Sequence, residues 1–466
     1  MSIGQVHTFI EQHADIGVSM LKRLINQRST SSDGYGVREC AALLEHFLRD
    51  MGIAAQIIET TGYPVVYGEC RSEHPDAATV VIYNHYDVQP AGNESAWDTP
   101  PFSAVEKNGR IYGRGAGDNK GQLMANLFGV YAWLQVHGHT PVNVKFIYEG
   151  EEEIGCRSFE GFLKEHPDLL RGDIVIISDS GIHAGGAPFI LYGVRGSLLL
   201  SLRSVTSNTD HHSGNKGGVI PEAAWELTDL LSSMRGADGK VKIEGFYDGI
   251  VGPTAKDLEM IDSAPYDPGE LTGAYGLTKP LTLSKRQYYS KLMFEPTLSI
   301  LALQSGQTAG EAIPGAIPGK ARAVLNVRFP YAQTARQLFG AIEKHVKKRN
   351  PDIEVIYHSA SAASRTMADL PVMEAVSSAV ETAFGRKAIQ LPSMGASWGS
   401  FHLWEKLMHM PAIIIPYANA DENNHGPNEN MRIDCFVTGA RTMAQILQSL
   451  SEFQDTYPSC ASQPGD

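Results

Sequence analysis

The sequence predicts an α/β fold in which an α/β/α sandwich domain is interrupted by an inserted two-layer α+β domain. In the first and last parts of the chain, short apolar runs alternate with stretches of helical periodicity, which is typical of a largely parallel sheet covered by helices. In the middle, the order becomes β-α-β-β-α-β, which favours a two-layer domain with an antiparallel sheet. We therefore assign residues 1–196 and 363–466 to the sandwich domain and residues 197–362 to the inserted domain.

The first part of the chain begins with two stretches of helical periodicity. Apolar residues from Phe9 to Leu24 predict an N-terminal helix, and those from Leu43 to Met51 predict a second helix that Gly52 ends. Four apolar runs then predict strands, at residues 65–67, 79–83, 142–148 and 174–177. Ligands bind at the carboxyl ends of the strands in such sheets. We therefore expect the functional site among the polar residues that follow these runs.

The inserted domain and the last part of the chain show the same kinds of pattern. We predict strands at residues 197–205, 297–301, 321–328 and 354–358, and helices at residues 222–234 and 333–349. Residues 248–281 are punctuated by glycine and proline, so we predict no regular structure there. Two further helices are predicted at residues 371–384 and 436–450.

Composition excludes several classes of protein. The chain of 466 residues is 42% hydrophobic and 20% charged, as in globular proteins, and its net charge of -13 argues against nucleic acid or an anionic membrane as a partner. No run of eighteen apolar residues predicts a membrane span, and the first residues do not resemble a signal peptide. The five cysteines are odd in number and show no close pairing, which favours a reducing, cytoplasmic setting.

A glycine-rich loop is the centre of the predicted site. Gly113, Gly115 and Gly117 precede Asp118, and helical periodicity begins directly after it, so the Asp118 carboxylate lies on a turn that enters a helix. Other candidate metal ligands follow the predicted strands or lie in a late polar loop. They are His85, Glu153, Asp179 and His425.

These residue types suit a pair of divalent metal ions in a hydrolase. Such a centre needs imidazole and carboxylate ligands, a shared carboxylate, and a free carboxylate as general base. We assign His85, Asp118 and Asp179 to one metal, and Asp118, Glu153 and His425 to the other. Glu152 would take a proton from the attacking water, and Asp87 would hold the imidazole of His85 in its metal-binding tautomer. Taken singly, an H-x-D or E-E motif is weak evidence.

Four motifs in succession resemble one family. They are residues 84–90 (NHYDVQP), 113–121 (GRGAGDNKG), 149–155 (EGEEEIG) and 178–179 (SD). Their order and approximate spacing resemble the co-catalytic zinc metallopeptidases that include aminoacylase, glutamate carboxypeptidase, succinyl-diaminopimelate desuccinylase and the cytosolic, carnosinase-like dipeptidases. The HYDVQP form most resembles the dipeptidase branch. The resemblance implies the same ligands, base and orienting aspartate, and a cis peptide bond after Asp118.

The resemblance also implies functions for the inserted domain, which serves as lid and dimerisation domain in that family. Asp210 to Gly214 resembles a segment whose histidine, here His212, stabilises the oxyanion in the partner subunit, which implies a homodimer. Arg328 matches an arginine that binds the substrate carboxylate, and the loop containing Gly395 and Ser397 resembles one that contacts the same end of the substrate. The chain departs from the dipeptidase pattern at Ala316, where a threonine or asparagine is common.

Three other interpretations of the sequence are less favourable. Gly113 and Gly115 suggest a dinucleotide fingerprint, but Asp118 stands where that motif needs glycine or alanine. Residues 395–399 fit the G-x-S-x-G motif of serine hydrolases, with Ser397 as nucleophile and only Asp421 and His425 downstream as partners. An inactive binding protein is disfavoured by the intact Glu152.

The sequence and the resemblance together predict a cytoplasmic, homodimeric hydrolase that needs two divalent metal ions. The resemblance implies zinc, although mixed imidazole and carboxylate ligands also suit manganese and cobalt. The predicted substrate is a dipeptide or an N-acylated amino acid with a free carboxylate. An aminoacylase, deacylase or carbamoyl amidohydrolase of the same fold is the alternative.

Overall fold

The computed structural model describes residues 2–306 and 315–456, with side chains up to residue 453. The strands, in chain order, are β1 (Ala54–Ile58), β2 (Val65–Cys70), β3 (Thr79–His85), β4 (Val105–Lys107), β5 (Arg110–Tyr112), β6 (Asn143–Glu149), β7 (Ile174–Ile177), β8 (Phe189–Leu191), β9 (Gly193–Val194), β10 (Gly196–Val205), β11 (His211–His212), β12 (Thr297–Ser305), β13 (Ala316–Ile317), β14 (Lys320–Phe329), β15 (Glu354–Ser361), β16 (Ser364–Arg365), β17 (Ile389–Leu391), β18 (Ala412–Ile414) and β19 (Asn430–Arg432).

The helices, in chain order, are α1 (Ile3–Gln12), α2 (Ala14–Asn26), α3 (Val37–Asp50), α4 (Lys120–His137), α5 (Phe159–Glu165), α6 (Pro167–Leu170), α7 (Ser213–Lys216), α8 (Ala223–Met234), α9 (Ala255–Ser263), α10 (Pro268–Ala274), α11 (Lys285–Phe294), α12 (Ala335–Arg349), α13 (Pro371–Phe384), α14 (Phe401–Lys406) and α15 (Ile433–Thr456). The single N-terminal helix expected from periodicity is divided into α1 and α2 at His13. Within the described residues, no helix is long and apolar enough to cross a membrane.

An eight-stranded sheet forms the middle layer of the sandwich domain, with strand order β1-β2-β6-β3-β7-β18-β8-β17. Its four central strands, β6, β3, β7 and β18, are parallel to one another, as the buried apolar runs predict. Antiparallel pairing is confined to the flanks, where β1 pairs with β2, β2 with β6, and β18 with β8.

Helices cover both faces of this sheet and make it a sandwich. One face packs against α1 to α4, α13 and α15 around a large apolar core that includes Phe128 and Phe436. The other face packs against α5, α6 and α14 around Phe159 and Trp404. The predicted α/β/α architecture is confirmed.

The inserted domain contains a four-stranded antiparallel sheet, ordered β12-β14-β10-β15. Helices α8 and α12 pack on one face of it, around a core that includes Leu200, Leu325 and Ile342. The order β10-α8-β12-β14-α12-β15 matches the β-α-β-β-α-β pattern expected from the sequence. At the junction with the sandwich domain, β9 pairs with β16.

The prediction of no regular structure at residues 248–281 was wrong. This stretch contains α9 and α10, and both α9 and α11 begin with a capping box. Their apolar residues, including Ile261 and Tyr289, pack against Ile389 and Leu391 of the sandwich domain's edge strand. The glycines and prolines of the stretch lie mostly between these short helices, which is why their density misled the interpretation.

Candidate active site

The predicted metal ligands come together at one edge of the eight-stranded sheet. Because β6, β3, β7 and β18 are parallel neighbours, their carboxyl ends lie side by side. His85 is the last residue of β3, Glu153 follows β6, Asp179 follows β7, and His425 lies in the loop after β18. Asp118 reaches the same edge from the turn between β5 and α4.

Asp118 lies between two groups of potential ligands. Its Oδ1 is 3.0 Å from Nε2 of His85, which in turn is 3.2 Å from Oδ2 of Asp179. Its Oδ2 is 3.0 Å from Nε2 of His425, which is 3.2 Å from Oε2 of Glu153. Within each group the donor atoms all lie within 4.8 Å of one another. One carboxylate thus offers an oxygen to each of two three-donor groups, which is the arrangement that a pair of bridged metal ions requires.

The electrostatics of the cluster favour cations. Burial opposes ionisation of Asp118, but hydrogen bonds from His425 and His85 outweigh it and hold the Asp118 pKa below its usual range. Hydrogen bonds to Asp118 and Glu153 raise the pKa of His425 to about 10. Oε1 of Glu153 is buried and has no hydrogen-bond partner among the described residues. Closely spaced carboxylates with an unpartnered buried oxygen, beside two imidazoles, fit divalent metals with mixed nitrogen and oxygen ligands.

The orientation of His85 is fixed by its other ring nitrogen. Nδ1 lies 3.0 Å from the backbone carbonyl of Asp87 and 3.4 Å from its carboxylate, so a proton on Nδ1 leaves Nε2 free to face the cluster. The Asp87 carboxylate also accepts the backbone N–H groups of Glu152 and Glu153, at 3.1 Å each. Asp87 therefore contacts both the imidazole and the turn that carries the predicted base.

Glu152 interacts electrostatically with members of both donor groups but belongs to neither of them. Burial raises the pKa of Glu152 well above its ordinary value, and the negative charges of Asp179 and Glu153 add to the effect, while the charge of His85 opposes it. A carboxyl group with a raised pKa, next to a predicted metal pair, can accept a proton from water and release it later.

Arg328 and Ser397, which are 69 residues apart in sequence, are in direct contact. Nη1 of Arg328 donates to Oγ of Ser397 at 2.6 Å, and its Nε donates to Oδ1 of Asn326 at 3.1 Å. Gly395 lies close to Leu292 of α11, where an added Cβ would be 2.8 Å from that side chain. The structure therefore joins Arg328 to the predicted substrate loop.

His212 is placed differently. It is exposed in the two-residue strand β11, which pairs with β13 so that His212 lies opposite Ala316. Among the described residues, no hydrogen bond or ion pair joins His212 to either donor group.

The geometry gives no support to a serine hydrolase. The Ser397 hydroxyl contacts a guanidinium rather than a general base. Of its two possible partners, His425 contacts Asp118 and Glu153, while Asp421 pairs with Arg110 at 2.7 Å. No triad of nucleophile, base and orienting carboxylate is formed by these residues.

Several polar residues that support the cluster were not singled out from the sequence. Asn84 donates to Asn119 and to the carbonyl of Ser178, and Asn126 donates to Asn84. Gln89 donates to Oε2 of Glu153 at 2.8 Å, and Asn424 donates to Oδ2 of Asp118 at the same distance. Each of these polar residues is next to or near a candidate ligand in sequence, but only their buried contacts show a supporting function. The peptide bond between Asp118 and Asn119 is cis, as the resemblance implied.

Comparison with known proteins identifies the family. The family model for peptidase family M20/M25/M40 matches residues 81–449. The chain belongs to this family. It is 26% identical to the human Beta-Ala-His dipeptidase over 96% of this chain and 92% of that protein. It is 29% identical to the Cys-Gly metallodipeptidase of Saccharomyces cerevisiae, over 86% of each chain.

A solved structure supports the same conclusion. The M20 family metallo-carboxypeptidase Sso-CP2 from Sulfolobus solfataricus superposes with a TM-score of 0.85 and 30% identity, covering 94% of this chain and 99% of that one. Membership of the M20/M25/M40 family makes this protein a metallopeptidase that acts on amide bonds. The predicted family, fold and enzyme class are confirmed.

Proposed function

We propose that this protein hydrolyses the amide bond of a dipeptide or an N-acylated amino acid that carries a free carboxylate. The observation that carries the proposal is the position of Asp118, which shares its two oxygens between two donor groups beside Glu152. Arg328, which contacts Ser397 in the same chain, supplies a cation that can bind the free carboxylate of the substrate. Dipeptidase names among the relatives support the proposed size of the substrate.

In the proposed mechanism, His85, Asp118 and Asp179 would hold one metal, and Asp118, Glu153 and His425 would hold the other. Metal ions held there would supply polarisation of the substrate carbonyl and a lowered pKa of water. Glu152 takes a proton from the attacking water and later gives it to the leaving amine. Arg328 holds the free carboxylate, with the Gly395 and Ser397 loop around the same end of the substrate.

We propose zinc as the native metal, because groups of three imidazole and carboxylate donors suit it. Manganese and cobalt accept the same donors. Metal analysis of the purified chain should find about two metal ions per subunit. Chelation should abolish hydrolysis, and restoring each metal in turn should rank them. Activity that survives complete removal of metal would contradict the proposal.

A carboxypeptidase is the second candidate, since the similar Sulfolobus structure is named as one. Both candidates need Arg328 to hold a terminal carboxylate, so substrate length distinguishes them. A panel of free dipeptides, tripeptides, N-blocked dipeptides and N-acyl amino acids separates the possibilities. Preference for free dipeptides supports the dipeptidase, release of a C-terminal residue from longer or blocked peptides supports the carboxypeptidase, and preference for simple N-acyl amino acids supports the aminoacylase.

We further propose a homodimer formed through the inserted domain, residues 197–362. Strand β12 is an edge strand that presents Ile300, Leu301 and Leu303, each more than half exposed. A long apolar edge strand favours pairing with another chain. A second copy would also be the source of His212 for the oxyanion. Sedimentation should find a dimer that Leu301→Lys with Leu303→Lys dissociates, and a wild-type monomer would contradict this proposal.

A cytoplasmic location remains our proposal from cysteine usage. The cysteines within the described residues are free and buried, at positions 40, 70, 156 and 435. Cys460 lies outside the described residues. Fractionation of the native cells, with marker proteins for each compartment, tests the proposal, and recovery of the protein outside the cytoplasm would contradict it.

A further inference from the structure

Glu429 has a carboxylate that the proposed mechanism does not use. The side chain of Glu429 is fully buried, and the residue directly precedes β19. Strand β19 pairs with β5, so that Asn430 lies opposite Tyr112. The backbone N–H of Gly113 donates to the carbonyl of Glu429 at 3.0 Å and extends this pairing by one residue. The antiparallel pairing thus places the Glu429 side chain over the glycine-rich turn that leads to Asp118.

Three backbone N–H groups of this turn converge on the Glu429 carboxylate. Gly115 donates to Oε2, and Gly117 and Asp118 donate to Oε1, each at 3.0 Å. Nη1 of Arg114 donates to Oε2 at 2.5 Å. All four of these groups donate hydrogen bonds, and an ionised carboxylate can accept all four because its oxygens act only as acceptors.

Arg114 connects this turn to the loop that carries His425. The arginine is almost fully buried, and its Nη2 donates to the backbone carbonyl of His425 at 3.1 Å and to that of Pro90 at 3.2 Å. Its planar guanidinium thus contacts Glu429 with one nitrogen and the His425 loop with the other. The turn with Asp118 and the loop with His425, more than 300 residues apart in sequence, are held by one ion pair.

We propose that Glu429 is a positioning residue that fixes the turn bearing Asp118 and, through Arg114, sets the distance between Asp118 and His425. This inference rests on the proposed function, in which both residues hold metal. Neither Glu429 nor Arg114 belongs to a donor group, so both act through the residues they orient. Replacing the carboxylate of Glu429 by an amide would remove one of the two oxygens that accept from the three backbone N–H groups. The turn would then be held less firmly.

The test compares Glu429→Gln with a matched control, Asp257→Asn. Asp257 is also a fully buried carboxylate that pairs with an arginine, Arg365, but its hydrogen bonds are to Arg365 and Thr254 rather than to the Asp118 turn. Glu429→Gln should weaken metal binding by about 10- to 100-fold, as loss of a partner that orients a ligand does. In the metal-free protein, amide exchange of residues 113–119 should accelerate by about tenfold. Asp257→Asn should change neither quantity.

Arg114→Lys is the second variant, in case Glu429→Gln fails to fold. It keeps a positive charge beside Glu429 but loses the second nitrogen that reaches the His425 carbonyl, so metal binding should weaken while residues 113–119 stay protected. Wild-type metal affinity in both variants, or an equal loss in Asp257→Asn, would overturn the inference. A wild-type protein that binds no metal would contradict the proposed function, and the exchange measurement would still decide the role of Glu429.

Discussion

The edge of the eight-stranded sheet carries a histidine predicted to bind metal, and strand β11 of the inserted domain carries one predicted to be catalytic, in opposite surroundings. His85 is buried and contacts two candidate ligands within its own chain, whereas His212 is exposed and contacts neither donor group. The first region is assembled by adjacent parallel strands of one subunit. The second presents its histidine to solvent, which suits a residue that acts on another subunit. Under the proposed function, the ligand groups are complete within one chain, whereas the oxyanion contact of His212 requires a second subunit.

The largest expected effect is at the sheet edge, in Glu152→Gln. The substitution keeps the shape of the side chain but removes the proton acceptor, so kcat should fall by about 10²- to 10⁴-fold while metal content stays at the wild-type level. Steady-state kinetics with metal analysis measures both quantities. Glu160→Gln, an exposed carboxylate of α5, serves as the control with unchanged kcat. Near-wild-type turnover in Glu152→Gln would show that Glu152 is not the general base.

His212→Ala tests the other side of the comparison. Loss of an oxyanion donor should lower kcat by about 10²- to 10³-fold with unchanged metal content. Mixing these subunits with Glu152→Gln subunits should recover part of the activity, because one of the two sites in a heterodimer would then hold both residues. The neighbouring His211→Ala, which removes a ring contact with Ser207, controls for loosening of β11. Confirmed heterodimers without recovered activity would show that His212 acts elsewhere.

Arg328 lies between the two regions, on β14 of the inserted domain but in contact with Ser397 of the sandwich domain. Arg328→Lys keeps the charge and loses the planar fork, so kcat/KM should fall by about 10- to 100-fold, mainly through KM. Amidation of the substrate carboxylate should lower the kcat/KM of the wild type by a similar factor. It should lower the kcat/KM of Arg328→Lys only slightly further. Equal sensitivity of both proteins to amidation would contradict the carboxylate contact.

The smallest expected effect is in Ala316→Thr, which places a hydroxyl opposite His212. If a substrate hydrogen bond is missing there, kcat/KM for dipeptides should rise by about two- to tenfold, the size of one net hydrogen bond. Ala316→Val adds similar volume without the hydroxyl and should give no gain. An equal response to both substitutions would mean that side-chain volume, and not hydrogen bonding, distinguishes this position.

Prediction from sequence succeeded where a residue's position in the fold follows from its local pattern. His85 and Asp179 follow apolar runs that are too uniform for a half-exposed strand, and this places them at a sheet edge. The helices α9 and α10 were missed because their capping residues lie among the glycines and prolines that suggested irregular structure. Strand β18 was missed because three residues, Ala412–Ile414, are too short to show a period.

The sequence by itself determined the candidate ligands, the family and the division into a sandwich domain and an inserted domain, because each depends on motifs or periodic patterns of residues near one another in the chain. Only the tertiary structure showed that Asp118 gives one oxygen to each donor group, and that Arg328 meets Ser397. It alone showed that the Asp118 turn is held by Glu429, which lies 311 residues away from Asp118. Contacts of that separation leave no period or spacing in the sequence, since they arise only when the sheet brings distant loops to one edge.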